Sequence, residues 1–262
     1  MLKRKVEVVA HRGASGLAPE NTLAAIQLAI DYEVDWIEID VRQTIDRVLV
    51  CLHDETVNRT TNGRGRIIAM PYRKVKQFDA GSWFHPQFAS ETIPSLNEVL
   101  KVVNGKCKLL IEIKGTQLLQ FKLAENLHKL IEKHGAEEWV VVQSFNSDFL
   151  KRLHKINPAI KLNNLVNYSP SNLPIYIDRR IKLGNIFRLK YSEAVNPNYK
   201  KVTRRFIAKV RKNHRKVFCW TVDDTSEMLR LIDLGVDGII TNHPERLKAL
   251  LASLENIAIS HD

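Results

Sequence analysis

Short β-rich runs alternate with longer helical patterns along almost the whole chain, and this alternation limits the fold more than any other feature. The runs lie at 6–10, 36–41, 109–113, 140–143, 160–165, 186–189, 217–220 and 238–241. Helical patterns fall between them at about 22–32, 95–103, 118–134, 147–156, 202–212 and 226–234, and a last one follows at 244–254. Strands separated by helices make parallel βα units, because a parallel return needs a long crossover. Eight such runs in 262 residues predict an α/β chain folded over 1–262 as a single (β/α)8 TIM barrel rather than an open doubly wound sheet. The connection from 165 to 186, with Pro170 and Pro174, shows no evident helix.

One stretch breaks the rhythm. Residues 42–92 hold a candidate hairpin, the turn-rich Thr60-Thr61-Asn62-Gly63-Arg64-Gly65, and the aromatics Phe78, Trp83, Phe84 and Phe88. That is too long for an ordinary βα loop. It predicts a small insertion after the second strand, standing over the C-terminal side of the barrel where such folds keep their sites. The aromatics are expected to build a satellite core or a wall of the pocket.

Hydrophobic residues at 44% and charged residues at 26% exclude a disordered or collagen-like chain. Cys51, Cys107 and Cys219 are odd in number and unpaired in spacing, so a disulfide framework or thiolate zinc site is not indicated and a reducing compartment is expected. The apolar start is broken by Glu7, and no run approaches the roughly 18 apolar residues of a spanning helix. The expected location is therefore cytoplasmic, with at most weak peripheral contact with an anionic membrane. Lys+Arg 40 against Asp+Glu 29 gives +11, which suits anionic partners without choosing among them.

The chemistry begins in the second run, Asp35-Trp36-Ile37-Glu38-Ile39-Asp40-Val41. With a period of two, Ile37, Ile39 and Val41 face one way and Trp36, Glu38 and Asp40 the other. The outer face of a barrel packs on helices and must be apolar, so both carboxylates point inward. The next run repeats the pattern, with Ile111 and Ile113 on one face and Glu112 and Lys114 on the other. Three inward carboxylates repel one another unless they are protonated or bind a cation, and an all-oxygen set favours Mg²⁺ or Ca²⁺ over Zn²⁺. A structural ion network in which Lys114 and Arg42 balance the acids fits the same pattern. His11 ends the first run. A two-residue turn at Asp46-Arg47 would pair Ile45 with Val48 and place Asp40 opposite His53, returning a second imidazole to the level of the acids.

His11-Arg12-Gly13, Pro19-Glu20-Asn21-Thr22, Glu38-Ile39-Asp40, His53-Asp54, Arg59-Thr60-Thr61-Asn62-Gly63, Asp79-Ala80-Gly81-Ser82-Trp83-Phe84, Ile93-Pro94-Ser95-Leu96, Glu112-Ile113-Lys114, Trp220-Thr221-Val222 and Asp237-Gly238-Ile239-Ile240-Thr241-Asn242 follow in this order. In that order and spacing the chain resembles the glycerophosphodiester phosphodiesterases. The resemblance implies a TIM barrel with a small insertion, one divalent cation, and hydrolysis of glycerophosphodiesters to sn-glycerol 3-phosphate and an alcohol. It makes Glu38, Asp40 and Glu112 the metal ligands and His11 and His53 the general acid and base. Arg12 and Lys114 would hold the phosphate and Trp220 the glycerol end. Glu20 would orient the first loop, with Asn21 as N-cap of the following helix. The charges then balance, since three carboxylates, one divalent cation, a diester and two basic side chains sum to zero.

The expected partner is a small-molecule glycerophosphodiester. The alcohol half is expected to point toward Trp83, Phe84 and Phe88. A lysophospholipase D-type enzyme on the same barrel is the alternative within the class, and a catalytically silent phosphate- or lipid-binding module the alternative outside it. The basic 200–216 stretch reads as a solvated helix, and no nucleic-acid partner is expected, because no aromatic interleaving or reader motif accompanies it.

Overall fold

The computed structural model describes residues 5–115, 120–166, 175–177, 183–185 and 192–259. Eight parallel strands close on themselves. In chain order they are β1 (Glu7–His11), β2 (Trp36–Gln43), β4 (Lys108–Ile113), β5 (Val140–Ser144), β6 (Lys161–Val166), β9 (Ser192–Pro197), β10 (Lys216–Cys219) and β11 (Gly238–Thr241). Each pairs with the next, and β11 returns to β1 with Glu7 opposite Gly238 and Ala10 opposite Thr241. Around them lie α1 (Leu23–Asp31), α3 (Leu96–Val103), α4 (Gln120–Lys133), α5 (Ser147–Ile156), α6 (Arg204–Arg211), α7 (Thr225–Leu234) and α8 (Pro244–Ile259). This is the expected TIM-like barrel. Among the described residues, no helix is long and apolar enough to cross a membrane.

Alternation along the strands divides the core. Ile37, Ile39, Val41, Leu109, Ile111, Val140 and Val142 join the layer between sheet and helices, while Val9, Trp36, Leu110, Val141, Ala194, Phe218 and Ile240 form a separate interior cluster. The interior is therefore a filled floor. Polar side chains can gather only above it, toward the strand ends.

The sixth barrel strand is β9. The expected run at 186–189 lies outside the described residues, and β9 escapes an apolar search because Ser192 and Asn196 are inward polar residues. Asn196 Nδ2 donates to Gln143 Oε1 at 2.7 Å, which satisfies the nitrogen of the buried amide, while its Oδ1 accepts no hydrogen bond. Within the connection between β6 and β9, β7 (Ile175–Ile177) and β8 (Leu183–Asn185) form an antiparallel pair.

β2 runs to Gln43 and α3 begins at Leu96, so the additional segment spans 44–95. Its first strand, β3 (Leu49–Cys51), pairs antiparallel with the end of β2, Val41 opposite Cys51 and Gln43 opposite Leu49. This differs by one residue from the two-residue turn read from the sequence. The loop holds three residues, Ile45, Asp46 and Arg47, closed by Thr44 N donating to Val48 O at 3.0 Å, with Arg47 at φ 67°. Such loops end in a left-handed residue, and Arg47 fills that position without glycine. Asp40 consequently faces Leu52, whose amide donates to Asp40 O at 3.0 Å.

The segment has its own core of Val50, Leu52, Val57, Ile67, Met70, Val75, Ala80 and Ile93, with Phe78 packed against it. Trp83, Phe84 and Phe88 do not join that core. They stack edge to face on one another, and Trp83 remains 42% exposed. A capping box ties the segment to the barrel helices. Ser95 Oγ accepts from Glu98 N at 3.3 Å and Glu98 Oε2 accepts from Ser95 N at 2.8 Å. Glu98 also accepts from Tyr72 Oη and Lys76 Nζ, both at 2.7 Å, on and beside α2 (Tyr72–Val75). Ser95→Ala should lower the free energy of unfolding by about 1 kcal/mol. A shift of the urea midpoint with an unchanged slope would show it.

Candidate active site

The site lies where the strands end. In the parallel register His11 stands beside Glu38, and Asp40 beside Glu112. Laterally paired residues present their side chains to the same face, so all four converge above the apolar floor. Glu38, Asp40 and Glu112 are buried, and each places an oxygen within 4.8 Å of the others.

Two cations face these three acids. Lys114 Nζ lies 3.1 Å from Asp40 Oδ1 and in contact with Glu112 Oε1, and Arg12 Nε lies 2.9 Å from Asp40 Oδ2. Burial would raise the Asp40 pKa, but Lys114 and then Arg12 hold its carboxyl well below the usual range. Glu38 moves the other way, raised by burial and by repulsion from Asp40 and Glu112. Burial pushes Glu112 up to about 7 despite Lys114. Asp40 Oδ1 and Glu112 Oε1 accept no well-directed hydrogen bond. Surplus negative charge and unspent oxygen lone pairs at one point fit a hard divalent cation, with Glu38, Asp40 and Glu112 able to hold it.

The first loop secures the acids from behind. Arg12 and Asn21 both adopt left-handed backbone, each at φ 58°. Arg12 N donates to Glu38 Oε2 at 3.1 Å, and Asn21 Nδ2 donates to Asp40 Oδ2 at 3.0 Å while its Oδ1 accepts from Asp40 N at 3.1 Å. Asn21 is therefore not the N-cap expected from the sequence. Thr22, with the extended backbone that capping needs, accepts from Ala25 N at 3.3 Å and starts α1. Glu20 stands behind Arg12, accepting from its Nη1 at 2.8 Å.

The two imidazoles have different partners. His11 Nδ1 lies 2.7 Å from Asn242 Oδ1, and Asn242 Nδ2 donates to Asp223 Oδ2 at 2.7 Å. A carboxylate can only accept there, so the Asn242 amide is oriented with its oxygen toward His11. His11 Nδ1 must then carry the proton, which leaves Nε2 bare, 3.9 Å from Glu38 Oε2. Burial, then the nearby Arg12 charge, lowers the His11 pKa to about 4. His53 Nδ1 lies 2.7 Å from Asp54 Oδ1, and its carbonyl accepts from Arg42 Nε and Nη2 at 2.9 and 2.7 Å. The hydrogen bond from Arg59 holds Asp54 ionised, with its pKa at about 2, so His53 Nδ1 is the donor. Burial lowers the His53 pKa as well.

A pocket of about 230 Å³ opens above these groups. His11, Arg12, Glu38, His53, Glu112 and Lys114 line one side, and Gln143, Phe145, Leu165, Trp220, Thr221 and Ile240 the other. Trp220 is anchored by Nε1 donating to Asn196 O at 2.7 Å, and its ring meets Phe145 edge to face at 6.0 Å. The apolar wall is thus Phe145, Leu165 and Trp220. The expected wall of Trp83, Phe84 and Phe88 is absent from the lining, because those rings are spent on one another.

Residues 11–246 match the glycerophosphoryl diester phosphodiesterase family. The chain belongs to this family. It is an enzyme of the phosphodiesterase class. A glycerophosphodiester phosphodiesterase of Caldanaerobacter subterraneus subsp. tengcongensis is 38% identical over 244 residues, covering 93% of this chain and 96% of that protein. One from Bacillus subtilis is 31% identical over 255 residues, covering 92% and 85%. Among solved structures, an Oleispira antarctica phosphodiesterase in complex with the product sn-glycerol-3-phosphate superposes with a TM-score of 0.82. It is 28% identical, and the match covers 94% of this chain and 96% of that one.

Within this family framework, several site residues carry no assignment from the sequence. Asn242 and Arg59 sit inside motifs of the resemblance, so their position was marked although their partners were not. Asp223 and Phe145 gave no signal, since each acts through a contact made only by the closed barrel. The charge surplus has a measurable consequence. The folded chain raises the Glu112 pKa from 4.5 to about 7, so in that window it holds a proton the unfolded chain has lost. Stability of protein free of divalent ions should fall as pH rises through the window. Glu112→Gln should therefore raise the urea midpoint near pH 8 in chelator and leave it unchanged near pH 4; an equal effect at both would contradict the assignment.

Proposed function

We propose that this phosphodiesterase hydrolyses glycerophosphodiesters to sn-glycerol 3-phosphate and an alcohol, the whole chain acting as one barrel domain with the 44–95 segment. The observation that carries the reading is the convergence of Glu38, Glu112, Arg12, Lys114, His11 and His53 on one pocket, with Asp40 buried in the same acidic cluster behind them. The product bound to the Oleispira antarctica relative supports the glycerol phosphate half as the part retained.

Glu38, Asp40 and Glu112 would hold one divalent cation, Mg²⁺ or Ca²⁺, which supplies positive charge beside the phosphoryl oxygens. Arg12 and Lys114 grip the diester and are already in place as charge builds on its non-bridging oxygens. His11, with its proton fixed on Nδ1, presents bare Nε2 as general base to the attacking O–H, that of water directly or that of the glycerol 2-hydroxyl in a first step whose cyclic phosphate water then opens. His53 is backed by the Asp54 carboxylate, which stabilises the imidazolium, and delivers a proton to the departing alkoxide. Trp220 and Phe145 shape the apolar side, where the carbon skeleton of the glycerol lies.

A coupled assay for glycerol 3-phosphate release, with and without chelator, tests this. Turnover should vanish in chelator and return with Mg²⁺ or Ca²⁺. His11→Ala and His53→Ala should each lower kcat by about 10²–10⁴. The His53→Ala loss should shrink on a glycerol diester with a p-nitrophenyl leaving group, which departs without a proton. Equal losses on both substrates would sink the division of labour, and full turnover in chelator would sink the cation.

A further inference from the structure

The Arg59-Thr60-Thr61-Asn62-Gly63 motif is outside the reacting groups, yet the structure builds it with care. Thr61 Oγ1 donates to Val57 O at 2.7 Å and accepts from Gly63 N at 3.0 Å. Asn62 N donates to Asp79 O at 3.1 Å, and Asn62 Oδ1 accepts from Asp79 N at 3.0 Å. Gly63 lies so close to the Phe78 ring that a Cβ would stand 2.7 Å from it. The result is a fixed pedestal for one side chain. From it the Arg59 guanidinium spans two loops that no strand joins. Nε donates to Asp54 Oδ2 at 2.7 Å, with Nη2 3.3 Å from Asp54 Oδ1. Nη1 and Nη2 donate to Glu20 Oε2 and Oε1, both at 2.8 Å.

Both carboxylates are already committed to the site. Asp54 Oδ1 holds His53 Nδ1, and Glu20 Oε1 holds Arg12 Nη1. We propose that Arg59 is a positioning residue that sets the His53 imidazole against the phosphate-gripping Arg12 through these two carboxylates. The proposal rests on the reading of His53 as a proton carrier. Arg42 fixes the His53 carbonyl but not its ring, and among the described residues it is the Asp54 contact that orients Nδ1. Asp54 is itself a loop residue whose side chain is 31% exposed, so a carboxylate left to water would hold the ring loosely. The planar fork removes that freedom, which a point charge on a flexible stem cannot do.

A stabilising surface ion pair is the competing account, and the two differ in what they predict. The Arg59 side chain is 45% exposed, which weakens each pair, but a bidentate network of this kind keeps some stability. Stability alone therefore does not separate the two accounts, and catalysis does. Arg59→Ala should lower the thermal midpoint modestly and lower kcat by about 10–100-fold, with the larger part of the effect in kcat rather than KM. The loss should shrink on the p-nitrophenyl diester, as for His53→Ala. Added guanidinium ion should restore part of kcat, and Arg59→Lys should fall between wild type and Arg59→Ala. The ¹⁵N spectrum of the imidazoles gives a readout independent of turnover: His53 should be protonated at Nδ1 in the wild type and mixed between both nitrogens in Arg59→Ala. An unchanged His53 tautomer, or a kcat loss equal on both substrates and unmoved by guanidinium, would overturn the proposal. Failure of the functional reading looks different. It would appear as full activity in His53→Ala, whereas the tautomer shift in Arg59→Ala reports on positioning alone.

Discussion

Three carboxylates buried against two cations leave one negative charge without a partner, and the rest of the site is arranged around that imbalance. In a medium of low dielectric such a surplus is costly, and the side chains relieve it only in part, by distributing the charge unevenly. Asp40 takes both Lys114 and Arg12, together with the Asn21 amide, and stays ionised. Glu38 and Glu112 bear the remaining repulsion and shift upward. The strand register is what makes this unavoidable, because Asp40 and Glu112 are lateral neighbours and Glu38 is one inward position away. An apolar floor beneath them closes off any route to water from below.

The histidines reach this cluster by different routes, and their surroundings follow from that. His11 is a strand residue, and the end of β11 delivers Asn242 beside it, with Asp223 fixing the amide. Its tautomer is therefore a property of barrel closure. His53 comes from the 44–95 segment and is held twice, at its carbonyl by Arg42 on barrel strand β2 and at its ring by Asp54 of its own segment. One imidazole has a neutral amide behind it and the other an anion. That difference is the physical basis of the different parts in proton transfer proposed for them.

Much of this was legible in the residues because alternation on a strand leaves few choices. Ile37, Ile39 and Val41 had to face the helices, which put Glu38 and Asp40 inside, and the same logic placed Glu112 and Lys114. What failed was whatever depended on turn geometry or on polar groups satisfied from afar. The hairpin slipped by one residue because Arg47 supports a left-handed loop end usually given to glycine. β9 hid because Ser192 and Asn196 are buried polar residues, Asn196 with a partner on β5. Asn21 looked like a cap, yet its left-handed backbone turns the amide onto Asp40 and leaves capping to Thr22. The aromatics at 83, 84 and 88 suggested a pocket wall, but Phe145, one residue past β5, supplies it instead.

A divalent cation would neutralise the crowded acids, and calorimetry of its binding reads that neutralisation. Chelator-stripped protein titrated with Mg²⁺ or Ca²⁺ near pH 7, in buffers of different ionisation enthalpy, reports both stoichiometry and protons exchanged. One ion should bind per chain with net proton release, because Glu38 and Glu112 hold protons that the ion displaces, and binding should be lost in Glu38→Gln and Glu112→Gln. Binding without proton release, or binding unaffected by either substitution, would contradict it.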